Sequence, residues 1–326
     1  MKVLITGGAG YIGSHVALGF LKENYEVFII DNLENGSKSL VPERAKLIVS
    51  NISDESIILK VLKNNTFDVV IHLAAYTKVG ESVQNPKKYY KNNFENAKYF
   101  FNLCIDNNIK NFIFSSTGSI YGNSSSKNFL ESDPANPINP YSDSKFKTEK
   151  FLKNVSCEND IKVISLRYFN VAGSDKELRS GLMSNPDNLI KALCEYIVGK
   201  RSEFFINGND YNTKDGTTIR DFIHVSDLAD VHFLVSKNFI NLKKNHYDLY
   251  NCGYGNGFSI LEIIKEFEKI IGKKINFKIG KRREGDAEVS VANVKKITSK
   301  FNWEPKNKNL RKILESALEW EKKIKS

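Results

Sequence analysis

The sequence is poor in the residues that build extracellular and membrane scaffolds. Its 326 residues include four cysteines, at positions 104, 157, 194 and 252, and no CxxC pair is present. A disulfide framework or a structural zinc site is therefore not expected, and a reducing cytoplasm is the predicted location. No apolar run approaches the ~18 residues of a membrane span, and the N-terminal segment lacks the apolar region of a secretory signal. We expect a protein that neither enters a membrane nor is secreted.

Neither charge nor metal-binding residues are concentrated anywhere along the chain. Lysine and arginine number 48 against 38 acidic residues, a net charge of +10, but no block of five or six like charges occurs. This scatter favours a solvated basic surface over a nucleic-acid partner, so no nucleic acid is expected. The five histidines lack metal-ligand spacing and are interpreted as structural, so no metal is expected; they are His15, His72, His224, His232 and His246.

What the first half does contain is an alternation of short apolar runs and helical patterns, which indicates βαβ units and a parallel sheet. The predicted strands are 2–6, 26–30, 46–50, 68–73, 111–116 and 162–166, and the predicted helices include 13–23, 86–107 and 142–155. We predict an α/β fold, a Rossmann-type doubly wound parallel sheet over 1–170. A smaller C-terminal substrate-binding α/β domain is expected over 171–326, and whether 220–237 returns to the first domain is left open.

A glycine-rich turn follows the first predicted strand. Gly7, Gly10 and Gly13 lie between that strand and a helix, where glycine permits a tight turn and a close approach of backbone to a pyrophosphate. The helix N-terminus offers free N–H groups to the phosphates. Asp31, at the end of the second strand, can accept both ribose hydroxyls of an adenosine but would repel a 2′-phosphate. The pattern predicts dinucleotide binding, with NAD favoured over NADP.

Residues Tyr141 and Lys145 form a YxxxK pattern. Side chains four residues apart share one face of a helix, so the phenol and the ammonium can point into the same cleft. A cation at ~4 Å, with an effective dielectric of ~20, favours the phenolate by ~4 kcal/mol before desolvation is counted. After a dinucleotide motif and a strand that ends near Thr117, this pair is a candidate catalytic pair.

From these residues onward the chain resembles the extended short-chain dehydrogenase/reductases and, among them, the UDP-glucose 4-epimerases. The similarity runs nearly from end to end. Its segments, in order, are TGGAGYIGSHV at 6–16, DNLENGS at 31–37, IHLAA at 71–75, VGESV at 79–83, FSSTGSIYG at 114–122, PYSDSK at 140–145, LRYFNVAG at 166–173, RDFIHVSDLA at 220–229 and RREGD at 282–286.

The resemblance implies a mechanism. Tyr141 would take the proton from the 4-hydroxyl of the sugar while NAD receives hydride from carbon 4. Lys145 would hold the nicotinamide ribose and lower the pKa of Tyr141, and Thr117 would hydrogen-bond the same hydroxyl. The 4-keto sugar would then turn over about its diphosphate link and take the hydride back on its opposite face. Binding should therefore be tight on the nucleotide and loose on the hexose.

The resemblance also assigns binding positions and implies a homodimer. The implied cofactor contacts are Gly7, Gly10, Tyr11, Ile12, Gly13, Asp31, Asn32, Asn35, Gly36, Ser37, Asn51, Ile52, Leu73, Ala74, Ala75, Asn92, Ser115 and Tyr168. The implied contacts to a UDP-sugar are Thr117, Phe169, Asn170, Asn188, Leu189, Asn207, Arg220, Phe222, Arg283, Asp286 and Ser290. Arg220 and Arg283 match diphosphate ligands, because a guanidinium suits bidentate phosphate contacts.

The chain departs from the family pattern at a few positions. Asn51 stands where an aspartate is frequent, and its amide oxygen can still accept from an adenine amino group. Thr77 stands where some members carry a lysine, and Asn207 where many have an aromatic residue before the glycine of the nucleotide loop. Ser290 is aligned with a position that is bulky in strict glucose/galactose enzymes. Its small side chain favours acceptance of UDP-N-acetylhexosamines, and the alternative is a loop residue with no gating role.

Three competing functions were weighed. Nucleotide-sugar 4,6-dehydratases place Asp-Glu after the catalytic threonine, where this chain has Gly118 and Ser119, so a dehydratase is disfavoured. A UDP-pentose or UDP-uronate 4-epimerase stays open. A non-catalytic NAD sensor on the same fold is the alternative from another class, but it would not need Tyr141, Lys145 and Thr117 together.

Overall fold

The computed structural model describes residues 1–123, 128–183, 188–283 and 285–325. The strands are β1 (Lys2–Thr6), β2 (Glu26–Asp31), β3 (Lys46–Val49), β4 (Val69–His72), β5 (Asn111–Thr117), β6 (Lys162–Tyr168), β7 (Asn170–Ala172), β8 (Phe205–Asn207), β9 (Ile219–His224), β10 (His246–Cys252), β11 (Gly257–Ser259), β12 (Lys278–Gly280) and β13 (Val289–Ser290). The α-helices are α1 (Tyr11–Lys22), α2 (Glu55–Lys63), α3 (Val79–Gln84), α4 (Pro86–Tyr90), α5 (Ala97–Asp106), α6 (Pro140–Glu158), α7 (Leu189–Ile197), α8 (Val225–Asn238), α9 (Ile260–Ile271), α10 (Lys295–Phe301) and α11 (Leu310–Lys323).

A seven-stranded sheet in the order β10-β6-β5-β4-β1-β2-β3 forms the centre of the fold. All its neighbouring strands run parallel. All six predicted strands are present in it, with ends that differ by one or two residues. Alternate side chains enter two separate cores: Val3 and Ile5 pack with α1 and α8 on one face, and Leu4 packs with α5 on the other. The inner strands β1, β2, β4, β5 and β6 are buried on both faces, which explains their near-continuous apolar runs.

The chain returns to this sheet after its excursion beyond residue 170. Helix α8 packs against α1, where the rings of Phe20 and Phe233 lie 5.5 Å apart. Strand β10 then pairs with β6 at the edge of the sheet, from His246 opposite Lys162 to Cys252 opposite Tyr168. The domain division at residue 170 stays a prediction. We propose that the first domain also includes α8 and β10.

The segments before and after α8 and β10 form a smaller layer. Strands β11, β9 and β13 form a sheet in that order, with β7 pairing beside β9, and β8 pairs with β12. Helices α7, α9 and α11 pack around these short strands. Residues 184–187 of the irregular stretch noted in the sequence, and Glu284 of the RREGD segment, lie outside the described residues.

The segment predicted as one helix over 86–107 is helical but not uniform. Helices α4 and α5 are joined by one wide π-helical stretch, Lys91–Asn96. Such insertions are frequent at functional sites, and here the widened turn carries Asn93, whose main-chain oxygen accepts a hydrogen bond from Thr148 of α6 at 2.8 Å. Within the described ranges, no helix is both long enough and apolar enough to cross a bilayer.

Candidate active site

A cavity of about 440 Å³ lies at the carboxyl ends of the central strands. Residues that follow β1, β2, β4, β5 and β6 line it, so it occupies the edge where open parallel sheets bind their ligands. Most of the predicted site residues line this one cavity: Gly7, Gly10, Tyr11, Ile12, Gly13, Asp31, Asn32, Asn35, Gly36, Asn51, Ile52, Leu73, Ala74, Ala75, Asn92, Ser115, Thr117, Tyr141, Lys145, Tyr168, Phe169, Asn170, Asn188 and Ser290.

The glycine-rich turn forms a cradle without side chains. Gly7 has φ +73°, and a Cβ there would lie 2.7 Å from the Ala74 nitrogen. A Cβ at Gly13 would collide with the Gly7 carbonyl oxygen. Gly10 caps α1 in an extended conformation without a side-chain hydrogen bond, which leaves the first N–H groups of the helix facing the cavity. This surface fits a pyrophosphate, because backbone donors and the helix dipole both favour negative charge.

Asp31 stands beside this cradle at the end of β2. Its carboxylate accepts hydrogen bonds from the backbone N–H groups of Ala9 at 3.0 Å and Leu33 at 2.8 Å. Burial raises the pKa of Asp31, and these two backbone donors oppose the rise. Gly36 packs so closely that a Cβ on it would lie 2.8 Å from the Asp31 Oδ1 atom. The carboxylate is therefore fixed at the position that a ribose reader needs.

Helix α6 carries the Tyr141 phenol and the Lys145 ammonium in its first two turns. The Asn139 side chain caps the helix by accepting from the Ser142 N–H at 2.9 Å, and Pro140 occupies the first turn. Both favour a helix that begins at this point. Tyr141 and Lys145 consequently lie one turn apart on one face, and both line the cavity. Thr117, the last residue of β5, lies close enough for its hydroxyl to hydrogen-bond the Tyr141 phenol.

Burial dominates the electrostatics of this pair. It raises the pKa of Tyr141 above its ordinary value, and the Thr117 hydroxyl opposes that rise. It lowers the pKa of Lys145 to about 7, against the influence of the Glu149 carboxylate. The Lys145 ammonium donates to the Ser115 carbonyl oxygen at 2.7 Å and lies 4.8 Å from the centre of the Phe114 ring. That Lys145 lowers the pKa of Tyr141 stays a prediction.

Seven predicted site residues are not among the described residues lining the cavity: Ser37, Leu189, Asn207, Arg220, Phe222, Arg283 and Asp286. Ser37 instead accepts the Ser39 N–H at 3.3 Å and caps a short 3₁₀ turn. Arg220 forms an ion pair with Asp286 at 3.5 Å and lies in register with cavity-lining Ser290 on the adjacent strand. Arg220 and Asp286 therefore adjoin the cavity, with Arg220 one strand beyond its lining.

Several residues of the cavity were missed by the sequence reasoning. Glu34 comes from the loop after β2, and Tyr76, Lys78 and Glu81 come from the segment after β4. Their proximity depends on the strand order β4-β1-β2, which brings together loops that are more than 40 residues apart in the chain. A cavity-facing role for Tyr76 had one available signal, its place directly after the apolar residues 73–75 that follow β4.

The fold and cavity together define a class of protein, a dinucleotide-dependent enzyme with a tyrosine and a lysine on one helix. Residues 3–253 match the NAD dependent epimerase/dehydratase family, and the chain belongs to that family. The predicted α/β fold, the enzyme class and the NAD cofactor are confirmed by this match and by solved structures of the same fold.

Individual relatives agree over almost the whole length. A UDP-glucose 4-epimerase of Azospirillum brasilense is 38% identical, and the aligned region covers 99% of this chain and 92% of that protein. The structure of the Bifidobacterium longum UDP-glucose 4-epimerase in complex with NAD+ and UDP superposes with a TM-score of 0.93 at 33% identity, covering 99% and 98%. The UDP-Glc/GlcNAc 4-epimerase of Campylobacter jejuni superposes with a TM-score of 0.84 at 39% identity, covering 99% of both chains.

Proposed function

We propose that this chain is an NAD-dependent 4-epimerase of UDP-hexoses, acting on UDP-glucose and UDP-galactose. The observation that carries the proposal is the convergence of two sets of residues on one cavity: the glycine cradle with Asp31, and the half-buried Tyr141 with the buried Thr117 and Lys145. The relatives named UDP-glucose 4-epimerase support the choice of substrate. When bound, NAD supplies reversible oxidation at carbon 4 of the sugar.

The residues of the chain would supply the proton chemistry and the orientation. Tyr141 accepts the proton of the 4-hydroxyl and later returns it, and Thr117 holds that hydroxyl beside the phenol. Because burial raises the pKa of Tyr141, the phenolate needs positive charge nearby. Lys145 provides a charge from the same helix face, and the oxidised nicotinamide would add another.

The nucleotide end would hold the substrate while the hexose turns. Arg220 is held by Asp286 at 3.5 Å and donates to the Ile219 carbonyl oxygen at 2.9 Å, so its guanidinium is fixed before a diphosphate arrives. Arg220 and Arg283 would bind the diphosphate, and Asn188 and Leu189 would contact the nucleotide. A 4-keto sugar that is anchored only through its nucleoside diphosphate can present either face to the nicotinamide.

The direct test is incubation of the purified protein with UDP-glucose and no added NAD, followed by chromatography of the sugars. We expect UDP-galactose to form until equilibrium is reached. Tyr141→Phe should lower kcat at least a hundredfold while the protein keeps its bound NAD. Conversion of UDP-pentoses or UDP-uronates with no conversion of UDP-glucose would reassign the substrate. NAD binding without turnover of any of these sugars would favour a sensor.

The small side chain at position 290 supports a wider substrate range. Ser290 lines the cavity and lies in register with Arg220, which would put it between the reacting sugar and the proposed diphosphate site. We infer that a 2-acetamido group fits there and that UDP-GlcNAc and UDP-GalNAc are also interconverted. The relative from Campylobacter jejuni, named a UDP-Glc/GlcNAc 4-epimerase, has the same fold.

Ser290→Tyr tests this inference. A bulky ring should lower kcat/KM for UDP-GlcNAc by about a hundredfold, because it occupies the space of the acetamido group. Turnover of UDP-glucose by the same variant is the control and should change less than about threefold. Wild-type protein that turns over UDP-glucose but not UDP-GlcNAc would show that position 290 has no gating role.

The assembly and the location of the protein stay predictions. We propose a homodimer in the cytoplasm. Support for the location comes from the cysteines, which are all free, with Cys104, Cys194 and Cys252 buried and Cys157 exposed.

A further inference from the structure

A side-chain bridge joins two loops that flank the glycine cradle in the strand order of the sheet. The Tyr76 hydroxyl, from the segment after β4, donates to the Glu34 Oε2 atom, from the loop after β2, at 2.6 Å. Strand β1 lies between β4 and β2, and the glycine cradle follows β1. The two side chains that join the outer loops must therefore reach together across about two strand spacings, roughly 10 Å, past the loop between them. Both residues line the cavity.

The Tyr76 end of the bridge is firmly held. The Tyr76 N–H donates to the Asn93 Oδ1 atom at 2.9 Å, and the Asn93 amide donates back to the Tyr76 carbonyl oxygen at 2.9 Å. Asn93 is buried in the π-helical stretch, so it holds the main chain of Tyr76 on a rigid element. Only the side chain of Tyr76 needs to move for the bridge to open.

A lysine supports both ends of the bridge. The Lys88 ammonium lies 4.1 Å from the centre of the Tyr76 ring, 2.8 Å from the Glu81 Oε1 atom and 3.7 Å from the Glu34 Oε1 atom. It therefore stabilises the ring by a cation–π contact and the carboxylate by charge. Burial and the Glu34 carboxylate raise the pKa of Tyr76 to about 12, so the phenol stays protonated and able to donate at neutral pH.

We propose that Tyr76 and Glu34 form a strap over the bound dinucleotide that governs how fast NAD enters and leaves. This inference rests on the proposed function for the identity of the dinucleotide. Such retention would suit a 4-epimerase, because one bound dinucleotide would have to serve both the removal and the return of hydride at the same sugar. A strap must open both when NAD binds and when NAD leaves, so its loss raises the association and the dissociation rate constants. The loss of a residue that only contacts bound NAD raises the dissociation rate constant alone.

The test is the exchange of radiolabelled NAD+ on the holoenzyme against excess unlabelled NAD+, together with the association rate. In Tyr76→Phe we expect both the association and the dissociation rate constants to rise about tenfold, the effect of one hydrogen bond to a charged acceptor. The dissociation constant should change less than about threefold. Glu34→Ala should show the same pattern, and the double variant should be no faster than either single variant, because both remove one bond.

The chain offers a matched control in Tyr90→Phe. Tyr90 is also half-buried, its hydroxyl donates to the Asp143 Oδ2 atom at 2.8 Å, and the Lys147 ammonium lies 4.3 Å from its ring centre. It does not belong to the described cavity lining, so its exchange rates should match the wild type.

Three results would overturn the strap. These are unchanged exchange in Tyr76→Phe, a faster dissociation alone, and rate effects of Tyr76→Phe and Glu34→Ala that multiply in the double variant. Epimerase activity measured beside them keeps the two hypotheses apart. Normal turnover with unchanged exchange contradicts only the strap, whereas slow NAD exchange that is accelerated tenfold in a protein without turnover supports the strap and contradicts the proposed function.

Discussion

At the scale of single residues, Lys145 is a buried charge that the site holds at a cost in folding stability. It is an ammonium with only 2% of its surface exposed, and it lies on α6 among the side chains beneath the cavity. Burial lowers the pKa of Lys145 to about 7, and the Glu149 carboxylate, one turn further along the helix, limits the fall. Glu149 is itself held by Arg167 through hydrogen bonds of 3.0 and 2.7 Å. The site thus keeps a cation where the protein interior disfavours it.

This cost predicts a pH-dependent gain in stability for Lys145→Met. An unfolded lysine titrates near ~10.4, so between about pH 7 and pH 10 the unfolded chain binds more protons at this residue than the folded chain. The contribution of this site to wild-type stability therefore rises with pH over that window and is lowest below pH 7. The free energy of unfolding of Lys145→Met, minus that of the wild type, should be larger at pH 6.5 than at pH 9 by roughly 2 kcal/mol.

The measurement is chemical unfolding at both pH values after removal of bound nucleotide. Lys150→Met is the control, since Lys150 is exposed on the same helix and should not change the pH dependence. A stability difference between Lys145→Met and wild type that is equal at both pH values would contradict a depressed lysine pKa.

The candidate catalytic pair could be found in the sequence because its spacing is local. The Tyr141–Lys145 pair needs only one helical turn, and the glycine turn needs only a strand before it and a helix after it. Tyr76 and Glu34 were missed because their contact joins two loops across a third, and no local pattern encodes it. Arg220 and Asp286 were reached through the family resemblance, and their ion pair likewise joins distant segments.

At the scale of elements, the sequence predicted every strand of the central sheet except β10 and none of the strands of the smaller layer. Strand β10 was not predicted, because it is an edge strand whose first four residues, His246 to Leu249, are only half-buried and largely polar. Strands β7, β8, β11, β12 and β13 have two or three residues each, too few to show a period of two.

The π-helical stretch shows how an element can serve the site without a sequence signal. The sequence of residues 86–107 has an uninterrupted helical pattern, yet the main-chain helix widens at Lys91–Asn96. The widening lets Asn93 hold Tyr76 through its side chain, while the Asn93 amide also donates to the Ser144 hydroxyl of α6 at 3.3 Å. One asparagine thus connects the strap to the helix that carries Tyr141.

At the scale of the whole molecule, the central sheet with its helices and the smaller layer are joined by short polar contacts. The Tyr11 hydroxyl donates to the Gly173 carbonyl oxygen at 2.6 Å, and the hydroxyls of Ser14 and Ser180 lie 2.5 Å apart. Helix α11 holds the same segment from outside, because Trp320 donates to the Leu182 carbonyl oxygen at 3.1 Å. The C-terminal helix therefore supports a wall of the cavity.

A buried ion pair anchors that helix. The Glu321 carboxylate, 1% exposed, lies 2.5 Å from the Lys191 ammonium of α7 and 2.9 Å from that of Lys200. Lys191 also donates to the Leu182 carbonyl oxygen at 3.1 Å. Removing one partner of a buried pair costs about 3–5 kcal/mol where the other charge is left uncompensated. Without Glu321, Lys191 would keep, among the described carboxylates, only its longer contact to Glu195, at 3.7 Å.

Glu321→Gln should therefore destabilise the protein by about 3 kcal/mol and weaken UDP binding, because Leu182 and the segment before it lose part of their support. Glu319→Gln, the same change at an exposed position of the same helix, should cost less than ~0.5 kcal/mol. Thermal unfolding and calorimetric titration with UDP measure the two effects. Lys191→Met combined with Glu321→Gln should recover much of the lost stability, since it removes the stranded charge. If Glu321→Gln behaved like Glu319→Gln, the pair would not anchor α11, and the wall of the cavity would owe its position to the apolar contacts of Trp320 and its neighbours.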